Sequence, residues 1–121
     1  MRTLALLAAL LVQDDPVDYT KDSLEKIKAA VEKKEAVLLD VREESEWKAG
    51  HLKIATFVPL SWLRNESAEA VAGKVPKGKI IYAHCRAGGR AMTAAGILKK
   101  MGYEVRPLKQ GYEELKKNLE E

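Results

Sequence analysis

The spacing of apolar positions changes several times along the chain, and the changes mark alternating helices and strands. Leu24, Ile27 and Val31 recur at helical spacing behind Asp22 and Glu25, whose separation of three residues resembles a capping box. Short apolar runs that end in charged or turn residues are typical of buried parallel strands. After a first helix ending near position 34, the pattern predicts strand 36–39, helix 43–49, strand 55–58, helical pieces within 61–75, strand 79–83, a helix that stops at Gly102, strand 103–108 and helix 112–119.

This order of elements predicts an α/β domain with a mainly parallel sheet and helices on both faces. A chain of 121 residues suits one such domain, and 46% hydrophobic with 32% charged residues is typical of a globular protein rather than a disordered one. The net charge of +3 is small, and basic residues do not cluster with aromatic ones. We therefore expect no nucleic-acid partner.

The first twelve residues differ from the rest. Arg2 precedes an unbroken apolar run that ends at Gln13. Such a run, roughly ten residues, is too short for a stable membrane span but suits the core of a signal peptide. The residues just before Asp14 are poor cleavage-site residues, and the alternative is a helix or strand that packs on the domain. We predict a signal peptide and linker over 1–18, a folded domain over 19–121, and export, for example to the periplasm; without a functional signal the protein would be cytoplasmic.

The candidate chemistry centres on Cys85, the one cysteine of the chain. A single thiol can form neither an internal disulfide nor a cysteine-rich metal site. Cys85 follows the clearest predicted strand and precedes a loop and a helix. Ligands of open α/β sheets bind outside the carboxyl ends of the strands, which is where this loop falls.

The loop after Cys85 is suited to an anion. Gly88 and Gly89 allow a tight curl with inward N–H groups, the helix N-terminus adds partial positive charge, and Arg86 and Arg90 add forked donors. Each feature favours a thiolate. A structural cysteine in a tight turn would explain the glycines but not the arginines. We predict that Cys85 is catalytic and that substrate is bound by Arg86, Ala87, Gly88, Gly89 and Arg90.

Three motifs in this order resemble rhodanese-like domains. The sequence CRAGGR at 85–90 is similar to that family's six-residue active-site loop. The upstream motifs are Asp-Val-Arg-Glu at 40–43, Glu-Trp at 46–47 and Gly-His-Leu at 50–52, and the closing motif lies at 108–115. The resemblance covers roughly 19–119, with departures at Ile54, Gln110 and Leu115, where the family usually has Gly, Gly and Trp.

The resemblance implies a rhodanese-like three-layer fold and a sulfurtransferase. Cys85 would take a sulfane sulfur from a small anionic donor, such as thiosulfate or a persulfide, and hold it as a persulfide. The acceptor would be a thiol, cyanide or a partner protein, and no metal or organic cofactor is implied. Asp40, at a predicted strand end, either pairs with an arginine of the loop or caps the strand.

Residues outside the loop receive structural assignments. Arg42 and Glu43 are predicted to act in capping and surface ion pairing, and Trp47 in the core. His51 is predicted to be a hydrogen-bonded structural residue rather than a base. His84 adjoins the thiol in sequence, but strand alternation is expected to direct it away.

Two other functions fit the same loop. Phosphatases and arsenate reductases also place a cysteine and an arginine around an anion, with one residue more than the four that Cys85 and Arg90 enclose. A shorter loop makes a tighter pocket, which favours sulfur. A domain that carries or senses a persulfide without turnover needs the same residues as the enzyme does.

Overall fold

The computed structural model describes residues 16–120, in which four parallel strands alternate with helices. The helices are α1 (Leu24–Glu32), α2 (Glu44–Ala49), α3 (Leu60–Asn65), α4 (Ala68–Ala72), α5 (Gly89–Lys100) and α6 (Tyr112–Leu119). The strands are β1 (Ala36–Asp40), β2 (Ala55–Phe57), β3 (Ile80–His84) and β4 (Glu104–Pro107). The sheet order is β2-β1-β3-β4, with each neighbouring pair parallel. The predicted α/β class is confirmed.

Side chains of the two central strands alternate between two hydrophobic cores. Leu38 of β1 and Tyr82 of β3 pack with residues of α1 and α6. Leu39 and Ala83 pack on the other face with residues of α3, α4 and α5. Because both faces are covered, these strands are almost continuously apolar, and the fold has three layers.

The segment before α1 differs in detail from the prediction. Ser23, rather than Asp22, caps α1, since its hydroxyl accepts a hydrogen bond from Lys26 N–H at 3.1 Å. Asp22 instead accepts from the Tyr82 hydroxyl at 2.7 Å and from Arg106 at 2.8 Å. These bonds lower the pKa of Asp22, while burial and the Asp22 carboxylate raise the pKa of Tyr82 to about 12. The segment is thereby tied to the sheet.

Of the predicted signal peptide and linker over 1–18, residues 1–15 lie outside the described part of the chain. Within 16–120, no helix combines the length and apolar character of a membrane span.

The parallel strands bring their carboxyl ends to one edge of the sheet. Asp40 at the end of β1 and His84 at the end of β3 are register partners. Cys85 follows immediately and begins the connection to α5. This edge therefore carries the residues that the sequence singled out.

Candidate active site

The sulfur of Cys85 lies inside the loop that joins β3 to α5. Cys85 is 1% exposed, and its Sγ accepts hydrogen bonds from Gly88 N–H at 3.0 Å and Ala91 N–H at 3.4 Å. Ala91 belongs to the first turn of α5, so the sulfur also lies at a helix N-terminus. Backbone donors and the positive end of a helix therefore both face the sulfur.

The two loop glycines have different roles. Gly88 has a φ of +96°, a left-handed conformation that glycine adopts at little cost. A Cβ there would lie 3.2 Å from Tyr19 Oη and 3.3 Å from the Lys109 carbonyl oxygen. Gly89 begins α5, and a Cβ there would meet no atom of the described residues within 4 Å. The backbone thus requires glycine at 88 but not at 89.

The two loop arginines lie on the flanks of the loop. Arg90 donates two hydrogen bonds to the Glu46 carboxylate of α2, at 2.6 and 2.9 Å. This bidentate pair lowers the pKa of Glu46 to about 2 and raises the pKa of Arg90. Arg86 is exposed and lines a pocket of about 420 Å³ with Tyr112, Lys116 and others. Ala87, which follows Arg86 in the loop, is also exposed.

Asp40 pairs with Arg42, not with an arginine of the loop. Its carboxylate accepts from Arg42 Nε at 3.0 Å and Nη2 at 2.8 Å, and also from the Arg42 backbone N–H at 3.0 Å. The bond from the Arg42 backbone N–H caps the strand end. Of the two predicted alternatives for Asp40, the strand-end cap is therefore the one observed. The loop pairing is absent because Arg86 lines the pocket and Arg90 is bound to Glu46.

The prediction of surface ion pairing for Arg42 is wrong. Arg42 is 4% exposed, donates to the Gly50 carbonyl oxygen at 2.7 Å, and lies over the Tyr112 ring at 4.1 Å from its centroid. Its charge is compensated by the buried Asp40 carboxylate. Beneath the loop, this cluster joins the ends of β1 and α2 to the start of α6.

His84 points away from the thiol, as predicted. It is fully buried, with Nδ1 3.4 Å from the Cys85 carbonyl oxygen and Nε2 3.7 Å from Asp40 Oδ2. No atom of the described residues makes a hydrogen bond to Nε2. Burial lowers the pKa of His84, and the Asp40 charge opposes this shift. Burial thus favours the neutral form of this ring.

Trp47 of α2 and the exposed His51 form a stacked aromatic pair. Trp47 is half-buried rather than a core residue, and its ring stacks on His51 with centroids 3.5 Å apart. His51 Nδ1 lies 2.8 Å from the Trp47 carbonyl oxygen, so the predicted hydrogen bond of His51 is present. Glu43 forms a capping box with Glu46 at the start of α2.

Sequence reasoning missed the residues that clamp the loop from outside. A Cβ at Gly111 would lie 1.8 Å from the Arg86 carbonyl oxygen, so only glycine allows this close approach. The next residue, Tyr112, donates its N–H to the Cys85 carbonyl oxygen at 3.0 Å. The sequence signal was present, since Gly111 belongs to the closing motif at 108–115.

Comparison with known proteins points in one direction. The family described as the rhodanese-like domain matches residues 23–118. The chain is 35% identical over 80 residues to YqhL of Bacillus subtilis, an uncharacterized protein. The matched segment covers 65% of this chain and 60% of YqhL. It is 32% identical over 83 residues to YrkF of the same organism, a candidate sulfur carrier protein, covering 68% of this chain and 42% of YrkF. The chain thus spans less than two thirds of either relative.

Solved structures show the same fold. The reduced CoADR-RHD protein of Bacillus anthracis matches with a TM-score of 0.64 and 34% identity, over 82% of this chain and 16% of that one. The human single-domain sulfurtransferase TSTD1 matches with a TM-score of 0.68 and 22% identity, over 86% of this chain and 97% of that one.

Proposed function

The chain belongs to the rhodanese-like domain family, and from this premise we propose that it is a sulfurtransferase in which Cys85 carries a sulfane sulfur as a persulfide. The observation that carries the proposal is the position of Sγ, the only thiol sulfur of the chain, against the N–H groups of Gly88 and Ala91. A persulfide is an anion whose outer sulfur extends one bond beyond Sγ. The N–H groups of Gly89 and Arg90 begin α5 and have no acceptor within the helix, so they can donate to the outer sulfur.

The proposed reaction has two displacements. In the first, the Cys85 thiolate attacks the outer sulfur of thiosulfate; a new S–S bond forms, the S–S bond of thiosulfate breaks, and sulfite leaves with the electron pair. In the second, an acceptor thiolate or cyanide attacks the outer sulfur of the persulfide, and the Cys85 thiolate is released. The electrons balance within the two steps, so neither step needs an oxidant or a cofactor.

Donor recognition rests on the loop and on one arginine more than the other. The charge of Arg90 is offset by the Glu46 carboxylate, which holds both its terminal nitrogens. Arg86 is exposed and has no carboxylate partner among the described residues. We therefore assign Arg86 to the attraction of an anionic donor, and Arg90 to holding the loop against α2.

The test of the proposed function is intact mass measurement of the full chain after incubation with thiosulfate. We expect a gain of one sulfur atom on the wild type, reversed by a thiol reductant, and no gain on Cys85→Ser with its circular dichroism spectrum unchanged. A wild type that stays unmodified with both thiosulfate and an organic persulfide would overturn the proposal, as would a Cys85→Ser variant that gains sulfur.

The alternatives separate in the same assay. Excess thiosulfate with cyanide should give many thiocyanate molecules for each protein molecule, whereas a carrier without turnover would give one. The similarity to YrkF is the observation that favours the carrier alternative. Hydrolysis of an aryl phosphate that depends on Cys85, without consumption of thiosulfate, would instead support a phosphatase.

The leader supports a further proposal on location. Arg2 and the apolar run up to Val12 favour export. Fractionation of the native cells should find the protein outside the cytoplasm with the leader removed. A cytoplasmic protein that retains residues 1–12 would contradict export.

A further inference from the structure

A tyrosine that precedes the family match touches the sulfur-carrying loop. Tyr19 lies outside residues 23–118, yet its hydroxyl donates a hydrogen bond to the Gly88 carbonyl oxygen at 3.1 Å. Its ring edge packs on the same residue, because a Cβ on Gly88 would lie 3.3 Å from Tyr19 Cε1. The sequence analysis had placed Tyr19 at the first position of the folded domain, directly after the linker.

The segment that carries Tyr19 is held by the sheet and not by the loop. The Thr20 N–H donates to the carbonyl oxygen of Pro107, at the end of β4, at 2.8 Å. The Asp22 N–H donates to Thr20 Oγ1 at 3.1 Å, and the Asp22 carboxylate accepts from the Tyr82 hydroxyl at 2.7 Å. Tyr19 therefore approaches the loop from a fixed position.

Among the loop residues, Gly88 is the one whose position such a contact can fix to most effect. Its N–H makes the shorter of the two backbone hydrogen bonds to Cys85 Sγ. Glycine exchanges between left-handed and right-handed conformations at low cost, so the residue itself does not fix the orientation of this N–H. Its carbonyl oxygen is held by two donors, Met92 N–H at 3.1 Å and the Tyr19 hydroxyl.

We propose that Tyr19 is a positioning residue, whose hydroxyl fixes Gly88 so that the Gly88 N–H stays directed at the sulfur of Cys85. The contact with Gly88 stands on geometry alone, and its consequence for sulfur transfer rests on the proposed function. Tyr19 touches neither the donor nor the reacting sulfur in this assignment, so it acts on the rate of loading rather than on donor binding.

The test compares Tyr19→Phe with Tyr103→Phe in the full chain. Tyr103 is the matched control because its hydroxyl also donates to a backbone carbonyl, that of Val75 at 2.7 Å, within a hydrophobic core. Loss of one such bond corresponds to a change of about two- to tenfold in an equilibrium or rate. We expect Tyr19→Phe to slow sulfur loading at saturating thiosulfate by roughly this factor, with an unchanged half-saturating concentration. Tyr103→Phe should lower the urea midpoint and leave loading unchanged.

A second readout does not depend on sulfur transfer. Amide hydrogen exchange at Gly88, measured by NMR against the amides of β3, should be faster in Tyr19→Phe and unchanged in Tyr103→Phe. Unaltered Gly88 exchange in Tyr19→Phe would overturn the proposal, as would an equal acceleration in both variants. If the wild type fails to load sulfur while Gly88 exchange responds to Tyr19→Phe alone, the proposed function falls and the positioning contact stands.

Discussion

Gly111 and Arg86 approach so closely that a single methyl group on Gly111 would overlap the Arg86 carbonyl oxygen at 1.8 Å. The contact joins the start of α6 to the residue after Cys85, and the adjacent Tyr112 N–H binds the Cys85 carbonyl oxygen. The path of the loop is thus fixed from outside by a segment some twenty-five residues later in the chain, roughly the spacing of one βα unit.

Gly111→Ala should therefore damage both the fold and the loop. The added methyl group meets backbone that cannot rotate away, so we expect a loss of at least about 3 kcal/mol in the free energy of unfolding. Sulfur loading should fall as well, because Arg86 and Cys85 must shift together. Urea denaturation and intact mass after thiosulfate treatment measure the two effects.

Gly96→Ala is the control for that substitution. Gly96 lies within α5, and a Cβ there would meet no atom of the described residues within 4 Å. Alanine is the better helix former, so the free energy of unfolding should rise by up to about 1 kcal/mol with loading unchanged. Equal stability of the two variants would mean that the clamp at Gly111 is more flexible than its geometry indicates.

The loop glycines give a second pair of variants. Gly88→Ala places a side chain at a φ of +96° and against Tyr19, and should cost about 1–2 kcal/mol. Gly89→Ala adds a methyl group in open space at the start of α5 and should change the free energy of unfolding by less than about 0.5 kcal/mol. Thermal denaturation of both variants is the measurement. A larger loss at Gly89 than at Gly88 would contradict the assignment of the left-handed turn to Gly88.

The sequence was sufficient to predict the order of elements and the position of Cys85 in a loop at the carboxyl edge of the sheet, because both depend on neighbouring residues. The run at 79–83 had to be a buried strand, and Cys85, Gly88 and Arg90 follow it within one loop. The partner of Asp40 could not be chosen in the same way. The alternatives at that strand end were a loop arginine or a cap, and no pattern in the sequence singled out Arg42 as the partner of the carboxylate. The choice depends on the placement of α2, whose Glu46 binds Arg90.

The burial of Arg42 and the contact of Tyr19 had no local signal. Arg42 is covered by Tyr112, which comes from the far end of the chain. The polar segment around Arg42 gave no sign of this cover, so Arg42 was assigned to the surface. Tyr19 and Gly88 are 69 positions apart, and their contact consists of one hydroxyl on one carbonyl. Patterns of apolar residues carry no information about such a bond.

Glu46→Gln should change the response of the protein to acid. The pKa of Glu46 is lowered from 4.5 to about 2 in the folded protein, mainly by the hydrogen bonds from Arg90. On acidification the unfolded chain takes up this proton first, so the stabilisation is complete above about pH 4.5 and is lost as the pH falls toward 2. Glu46→Gln should be less stable than the wild type at neutral pH and should converge with it at low pH.

Glu44→Gln is the matched control in the same helix. Glu44 pairs with Lys48, but their side chains are 70% and 72% exposed, and such surface pairs contribute little. Its urea midpoint should stay close to that of the wild type at neutral pH. If Glu44→Gln and Glu46→Gln lose the same stability, the bidentate pair with Arg90 does not hold the loop.

His84 makes a prediction at milder pH. Its burial lowers its pKa below the ordinary value of 6.5, with the Asp40 charge only partly opposing. The unfolded chain therefore binds the His84 proton more readily than the folded protein does. The stability that neutral His84 contributes is complete above about pH 6.5 and is lost as the pH falls toward its lower folded pKa. His84→Gln removes this titration, so the free energy of unfolding should fall less steeply than in the wild type between about pH 7.5 and 5.5.

Parallel pH profiles of the wild type and His84→Gln would contradict the assignment. If His84→Gln does not fold, the ring proton resonances of His84 in the wild type decide the question, since their titration should be centred below pH 6.5. A shift centred at that pH would mean that the ring titrates as an ordinary histidine and that the cluster beneath the loop admits a third charge.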